Sequence, residues 1–134
     1  MSLFHLKILT PERTFFEGEV ELLSVMTTEG ARGFLAHHES FIGALSIGHL
    51  RIKYEGKVME AAIGGGVVKT NNERNEALVL ANCCEWAKDI DVARARKAEE
   101  KARELLRQHK SQGELEVARF RLNRAINRIR MGSK

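Results

Sequence analysis

The feature that most constrains this chain is a change of hydrophobic period at Asp89. Before it, apolar side chains recur every second residue; after it, they recur every three to four. A period of two places alternate residues on one face of a strand, and a period near 3.6 draws a stripe along one face of a helix. The spacing therefore predicts a strand-built N-terminal part and a helical C-terminal part.

Phe4, Leu6 and Ile8 alternate with His5 and Lys7, and residues 20–27 form a second apolar, β-branched run. Leu50, Ile52 and Tyr54 alternate with Arg51 and Lys53. Glu55-Gly56-Lys57 is expected to turn the chain into a strand over residues 58–63, and Asn71 to Asn75 is expected to turn it again into a buried strand over residues 77–81. Short strands about ten residues apart point to a sandwich or barrel. No helical pattern separates them, which argues against parallel βαβ winding.

Beyond Asp89, Ala95, Ala98, Ala102, Leu105 and Leu106 form one narrow stripe, and Leu115, Ala118, Leu122, Ala125, Ile126 and Ile129 form another. Ser111-Gln112-Gly113 separates them and is read as the turn, with Gly113 able to supply a positive φ. Two stripes of matching length predict an antiparallel helical hairpin, each rod on the order of 30 Å long. The expected architecture is α+β: an N-terminal antiparallel β-sandwich over residues 1–87, then a two-helix hairpin over residues 88–134. Alanine dominates the first stripe. Small side chains let helices approach closely but bury little area, so the hairpin needs a second surface for stability, and a choice of such surfaces is the raw material of a switch.

Charge is divided the same way. Residues 1–88 hold 9 Lys/Arg and 11 Asp/Glu, a net −2; residues 89–134 hold 13 and 7, a net +6. A basic module on a slightly acidic body suits an anionic partner for the last third. The hydrophobic fraction of 43% with a single proline excludes a disordered tail. No window approaches the ~18 apolar residues of a membrane span, so no direct membrane insertion is expected. The start Met1-Ser-Leu-Phe-His-Leu-Lys7 lacks the pattern of a signal peptide. Cys83 and Cys84 are adjacent, a poor geometry for a structural disulfide, and are read as small buried residues ending a strand in a reducing, cytosolic setting.

Gly64-Gly65-Gly66 lacks the spacing of a phosphate-binding loop and no helix follows it, so it is read as a bulge or close strand approach. His37, His38 and Glu39 are consecutive, which seldom converges on one metal ion, and are read as loop residues. No nucleophile, base and orienting group fall together, so the chain is read as non-catalytic. The arginines carry more. Arg124 and Arg128 lie at i, i+4, with Arg121 one turn before Arg124, and residues 119–134 hold six basic residues and no acidic one. Guanidinium forks on one face suit phosphate or carboxylate.

These segments, in order, resemble the epsilon subunit of the F-type, rotary ATP synthase (delta in mitochondrial naming). The resemblance runs from Ile8-Leu-Thr-Pro11 through Glu29-Gly-Ala-Arg-Gly33-Phe-Leu and His38, Gly48-His-Leu-Arg-Ile52, Gly64-Gly65-Gly66-Val67-Val68 and Ile90-Asp91-Val92-Ala93-Arg94-Ala95 to Arg124-Ala125-Ile126-Asn127-Arg128. It implies a β-sandwich bound to the gamma subunit and the c-ring at the foot of the rotor. It also implies a mobile helical pair that inhibits ATP hydrolysis, with acidic segments of the catalytic beta subunits as partners for the basic helix. The implied location is peripheral, on the cytoplasmic face of the bacterial plasma membrane.

Some bacterial members bind regulatory ATP on the folded hairpin, and no other cofactor is implied. Carried over residue by residue, that site falls on Glu85, Ile90, Asp91, Arg94, Arg124 and Arg128, with Lys101 standing where the family has an arginine. A lysine meets phosphate as a point charge, without the fork. The ring-facing loop departs as well: Gly30-Ala31-Arg32-Gly33 and Ala36-His37-His38 replace an acidic contact and a Pro-Gly corner, which leaves Arg32 and His38 as the implied ring contacts. A nucleic-acid-binding protein using the basic second helix is the alternative. The acidic body and the scarcity of Trp and Tyr speak against it, and no nucleic-acid partner is expected.

Overall fold

Alternating burial along the first strand shows how the sequence builds the sheet: Phe4, Leu6 and Ile8 point inward while His5 and Lys7 are half-exposed. The structure, a computed structural model, describes residues 2–108 and 111–133. The chain divides into two compact units, with the boundary between Trp86 and Ala87.

The first unit contains β1 (Phe4–Leu9), β2 (Thr14–Val20), β3 (Leu22–Thr27), β4 (Gly30–Phe34), β5 (Phe41–Tyr54), β6 (Lys57–Asn71), β7 (Glu76–Ala81) and β8 (Cys84–Trp86). Strand order is β2-β1-β7-β6-β5-β3-β4, with β8 also paired to β6. The long strands β5 and β6 serve both layers of a sandwich. The last residues of β6 pair with β7, while its Ala61–Ile63 stretch pairs with β8, and β5 carries β3 through Leu50 to Lys53. Leu23, Val25, Leu50, Ile52, Ile63, Val68 and Val79 fill the space between the layers and are fully buried.

Two glycine sites show why the chain bends where it does. Tyr54 pairs with Lys57 across Glu55 and Gly56, whose φ values are 51° and 78°. Both central residues have positive φ, the mark of a two-residue hairpin turn that matches strand twist. At Gly66, φ is 145°; a Cβ there would collide with the Leu80 carbonyl oxygen and sit 2.9 Å from the Ala81 Cα. The glycine triad is thus a close strand approach, as expected from its sequence.

The sheet departs from the sequence reading in several places. It is mixed: β1 and β7 run parallel, in register from His5 with Glu76 to Leu9 with Leu80, while every other pairing is antiparallel. The run over residues 20–27 is broken at Glu21, whose N–H donates to the Lys53 carbonyl at 2.9 Å, so Val20 ends β2 and Leu22 starts β3. Residues 30–34, read as loop, form β4; only Phe34 in it is buried, so it carries no alternation to detect. Cys83 and Cys84 are half-buried free thiols, and Cys84 opens a further strand.

The second unit opens with a short 3-10 turn (Ala87–Asp89), followed by α1 (Val92–Arg107) and α2 (Gln112–Gly132). At ~1.5 Å per residue these are about 24 and 32 Å long. Each starts on a cap: the Arg94 N–H donates to the Asp91 carboxylate at 3.0 Å, and the Glu114 N–H donates to the Ser111 hydroxyl at 3.4 Å. Ser111 is therefore the N-cap and Gly113 lies inside α2, outside the positive-φ residues. This corrects the expectation that Gly113 turns the chain. The helices run antiparallel, with Gly132 at the end of α2 packed against Ile90 and Val92 at the start of the unit. Ala95, Ala102, Ala118 and Ala125 are buried between them.

Candidate functional site: a basic groove across the hairpin

Alanines on both helices bring the backbones close, and the long side chains beside them wall a groove of about 250 Å³. From α1 it is lined by Ala98, Lys101, Ala102 and Leu105, at steps of +3, +4 and +7; from α2, by Arg121, Arg124, Ala125 and Arg128, with the same steps. The alanines form the floor and the cations form the rim. No carboxylate lines the groove. Two of the α1 arginines are ion-paired along the helix: Arg103 with Glu99 at 3.6 Å and Arg107 with Glu104 at 2.8 Å. Among the described residues, Lys101, Arg121 and Arg124 have no ion-pair partner.

Of the carried-over residues, Lys101, Arg124 and Arg128 come together in this groove. Arg94 is exposed on α1, two turns before Lys101 and on nearly the same face. Asp91 caps α1, and Ile90 is buried against Gly132. Glu85 belongs to the other unit, on β8, paired with Ala62. Arg121 is a groove residue outside the carried-over set, although its +3 and +7 spacing to Arg124 and Arg128 announces the shared face.

The loop that carries His38 is pinned by the turn after β6. The Asn72 amide donates to the carbonyls of His37 and His38 at 2.7 and 3.2 Å, and the His37 N–H donates to the Asn75 side chain at 2.7 Å. His37 takes φ 62° there. Arg32 and His38 flank one aromatic pair: the Arg32 guanidinium lies 3.9 Å from the Phe41 ring centroid, and the His38 ring meets Phe34 edge-on at 4.8 Å. Leu35 and Ile42, close by in sequence, are 61% and 69% exposed. Among the described residues no three His, Cys, Asp or Glu converge as a metal site. Among the described residues no helix is long and apolar enough to cross a membrane. Burial, with Cys83 and Glu85 beside it, pushes the Cys84 thiol up to about 12, which keeps it protonated and unreactive at neutral pH.

Comparison with known proteins gives two family matches that tile the chain. Residues 3–87 match the family described as ATP synthase, Delta/Epsilon chain, beta-sandwich domain, and residues 88–132 match its long alpha-helix domain. The chain is 42% identical over 131 residues to an ATP synthase epsilon chain from Caldicellulosiruptor saccharolyticus, covering 98% of this chain and 94% of that one. It is also 42% identical over 132 residues to an ATP synthase epsilon chain from Caldanaerobacter subterraneus, with 98% and 94% covered. In fold it is similar to a chain in the structure of the Euglena gracilis mitochondrial ATP synthase, OSCP/F1/c-ring in rotational state 1. The TM-score there is 0.82 at 23% identity, over 95% of this chain and 79% of that chain.

Proposed function

We propose that this chain, which belongs to the ATP synthase delta/epsilon-chain family, works as a non-catalytic subunit of the central stalk. Its sandwich holds the gamma subunit and the c-ring, and its hairpin restrains ATP hydrolysis. Arg32 and His38, held at one aromatic pair, are the ring-facing residues in this reading. The basic face of α2 is the surface offered to acidic segments of the catalytic beta subunits. Attraction of this kind sets a bias of a few kcal/mol between resting places and weakens with salt. The complex works peripherally at the cytoplasmic face of the bacterial membrane, coupling ion flow through the ring to ATP synthesis.

The observation that carries the regulatory part is the groove. Lys101, Arg124 and Arg128 come from two helices that are joined by an alanine seam, so an anion held among them stabilises the closed pair over a separated one. ATP is the ligand proposed. Deleting residues 89–134 is expected to raise ATP hydrolysis by the reconstituted complex while assembly persists; unchanged hydrolysis defeats the inhibitory role and leaves the structural one standing. Titrating the chain with ATP, with Arg128→Ala beside it, tests the ligand: wild type binds and the variant is weakened.

A further inference from the structure

We infer that Asn72 and Asn75 are positioning residues for the ring-facing loop: their side chains fix the backbone of His37 and so set how His38 is presented to the c-ring. The inference rests on the ring-facing reading above and deepens it. His37 takes φ 62°, in the left-handed region that few non-glycine residues adopt. Such a conformation persists only where the surroundings hold it. Here both backbone groups of His37 are tied. Its N–H donates to the Asn75 side-chain oxygen at 2.7 Å, and its carbonyl accepts from the Asn72 amide at 2.7 Å. The ties continue along the loop. The Asn72 amide also donates to the His38 carbonyl at 3.2 Å, the Thr70 hydroxyl donates to the Glu39 carbonyl at 2.9 Å, and the Asn72 N–H donates to the Ser40 hydroxyl at 3.0 Å. Residues 37–40 are thus each bonded to the stretch 70–75.

Asn75 holds a third segment as well. Its amide donates to the Leu3 carbonyl at 2.8 Å, and its own carbonyl accepts from the His5 N–H at 3.1 Å. The start of β1, the loop and the turn between β6 and β7 therefore meet at one side chain. These bonds bear on the imidazole that the loop carries. His38 sits edge-on to Phe34 at 4.8 Å, and its Nδ1 is 2.7 Å from the Glu39 carbonyl oxygen. A carbonyl oxygen only accepts, so Nδ1 carries the proton and Nε2 is the nitrogen offered to a partner. Thr70, through the same Glu39 carbonyl, anchors the acceptor that fixes this tautomer. A contact arranged before binding loses less freedom on binding than a loose loop does.

The test is the affinity of the full chain for a detergent-solubilised c-ring carrying the gamma subunit, with the folding of each variant checked by circular dichroism. Toward the loop the two side chains act with opposite atoms: Asn72 donates and Asn75 accepts. Asn72→Ala and Asn75→Ala are each expected to weaken binding about tenfold. Aspartate keeps the shape of asparagine and its acceptor but has no donor when ionised. Asn75→Asp should therefore recover the affinity, together with the slow amide exchange of His37 that Asn75→Ala loses. Asn72→Asp should bind as weakly as Asn72→Ala. A purely structural role predicts no such split, because each aspartate loses one side chain's donated bonds. Should the alanine variants fail to fold, the two aspartate variants decide. Equal affinities for Asn72→Asp and Asn75→Asp overturn the inference. Wild-type affinity in Asn72→Asp, with His38→Ala weakened, overturns it and spares the ring-facing reading. Wild-type affinity in every variant, His38→Ala and Arg32→Ala included, overturns both.

Discussion

The two units bury different things, and the difference explains what each is suited to do. The sandwich closes over large branched side chains: Leu6, Ile8, Leu23, Leu50, Ile52 and Ile63 are each within 1% of full burial. The hairpin closes over alanines, joined by Met131 and Asn127. Burying a leucine or isoleucine contributes about 1.5–3 kcal/mol, whereas an alanine methyl contributes well under half of that. The sandwich is held by its own interior. The hairpin is held by a narrow seam and two capped ends. A rigid platform and a weakly held pair of rods are what the proposed regulatory role would use.

Four measurements would break or sharpen that contrast. Ile52→Ala, at the centre of the sandwich, should lower stability by about 2–5 kcal/mol in chemical unfolding. The loss of exchange protection should appear in β3, β5 and β6. Next comes pH. Cys84 is raised from 9.0 to about 12 by burial, so the folded unit keeps a proton that the unfolded chain gives up. That contribution is fully present below pH 9 and is lost progressively as pH rises toward 12. An alkaline unfolding series should show the decline, and Cys84→Ala should flatten it.

In the seam, Ala102→Leu should destabilise the hairpin by about 1–3 kcal/mol through overpacking, read as lost helical circular dichroism. If it stabilises the hairpin, the seam has slack and the contrast with the sandwich weakens. Smallest is Asp91→Ala, which removes the bond to the Arg94 N–H and should cost about 1 kcal/mol, with fraying confined to the first turn of α1 in amide exchange.

Much of this was legible in the residues, and the misses share a cause. The strands around Phe4, Ile52 and Val79, the Glu55-Gly56 turn and both helices follow from local period and turn chemistry. The strand over Gly30 to Phe34 escaped because its residues are exposed and its order comes from the ladder with β3. The start of β5 is masked by its glycines, and Gly113 misled because a glycine near a turn need not be the turn. In the groove, Arg121, Arg124 and Arg128 could be placed on one face by counting, but their meeting with Lys101 could not.

What the residues alone determined is local: which stretches alternate, which spiral, where the chain can reverse, and that the last third carries a net positive charge. Periodicity and backbone preference act over a few neighbours and need no knowledge of the rest. What only the tertiary structure decided is pairing between segments distant in sequence: β1 beside β7 in parallel, β5 and β6 running through both layers, and Lys101 facing three arginines across an alanine seam. Those outcomes depend on how whole faces pack and on which approach buries the most apolar surface without clash, and no local window of sequence contains that sum.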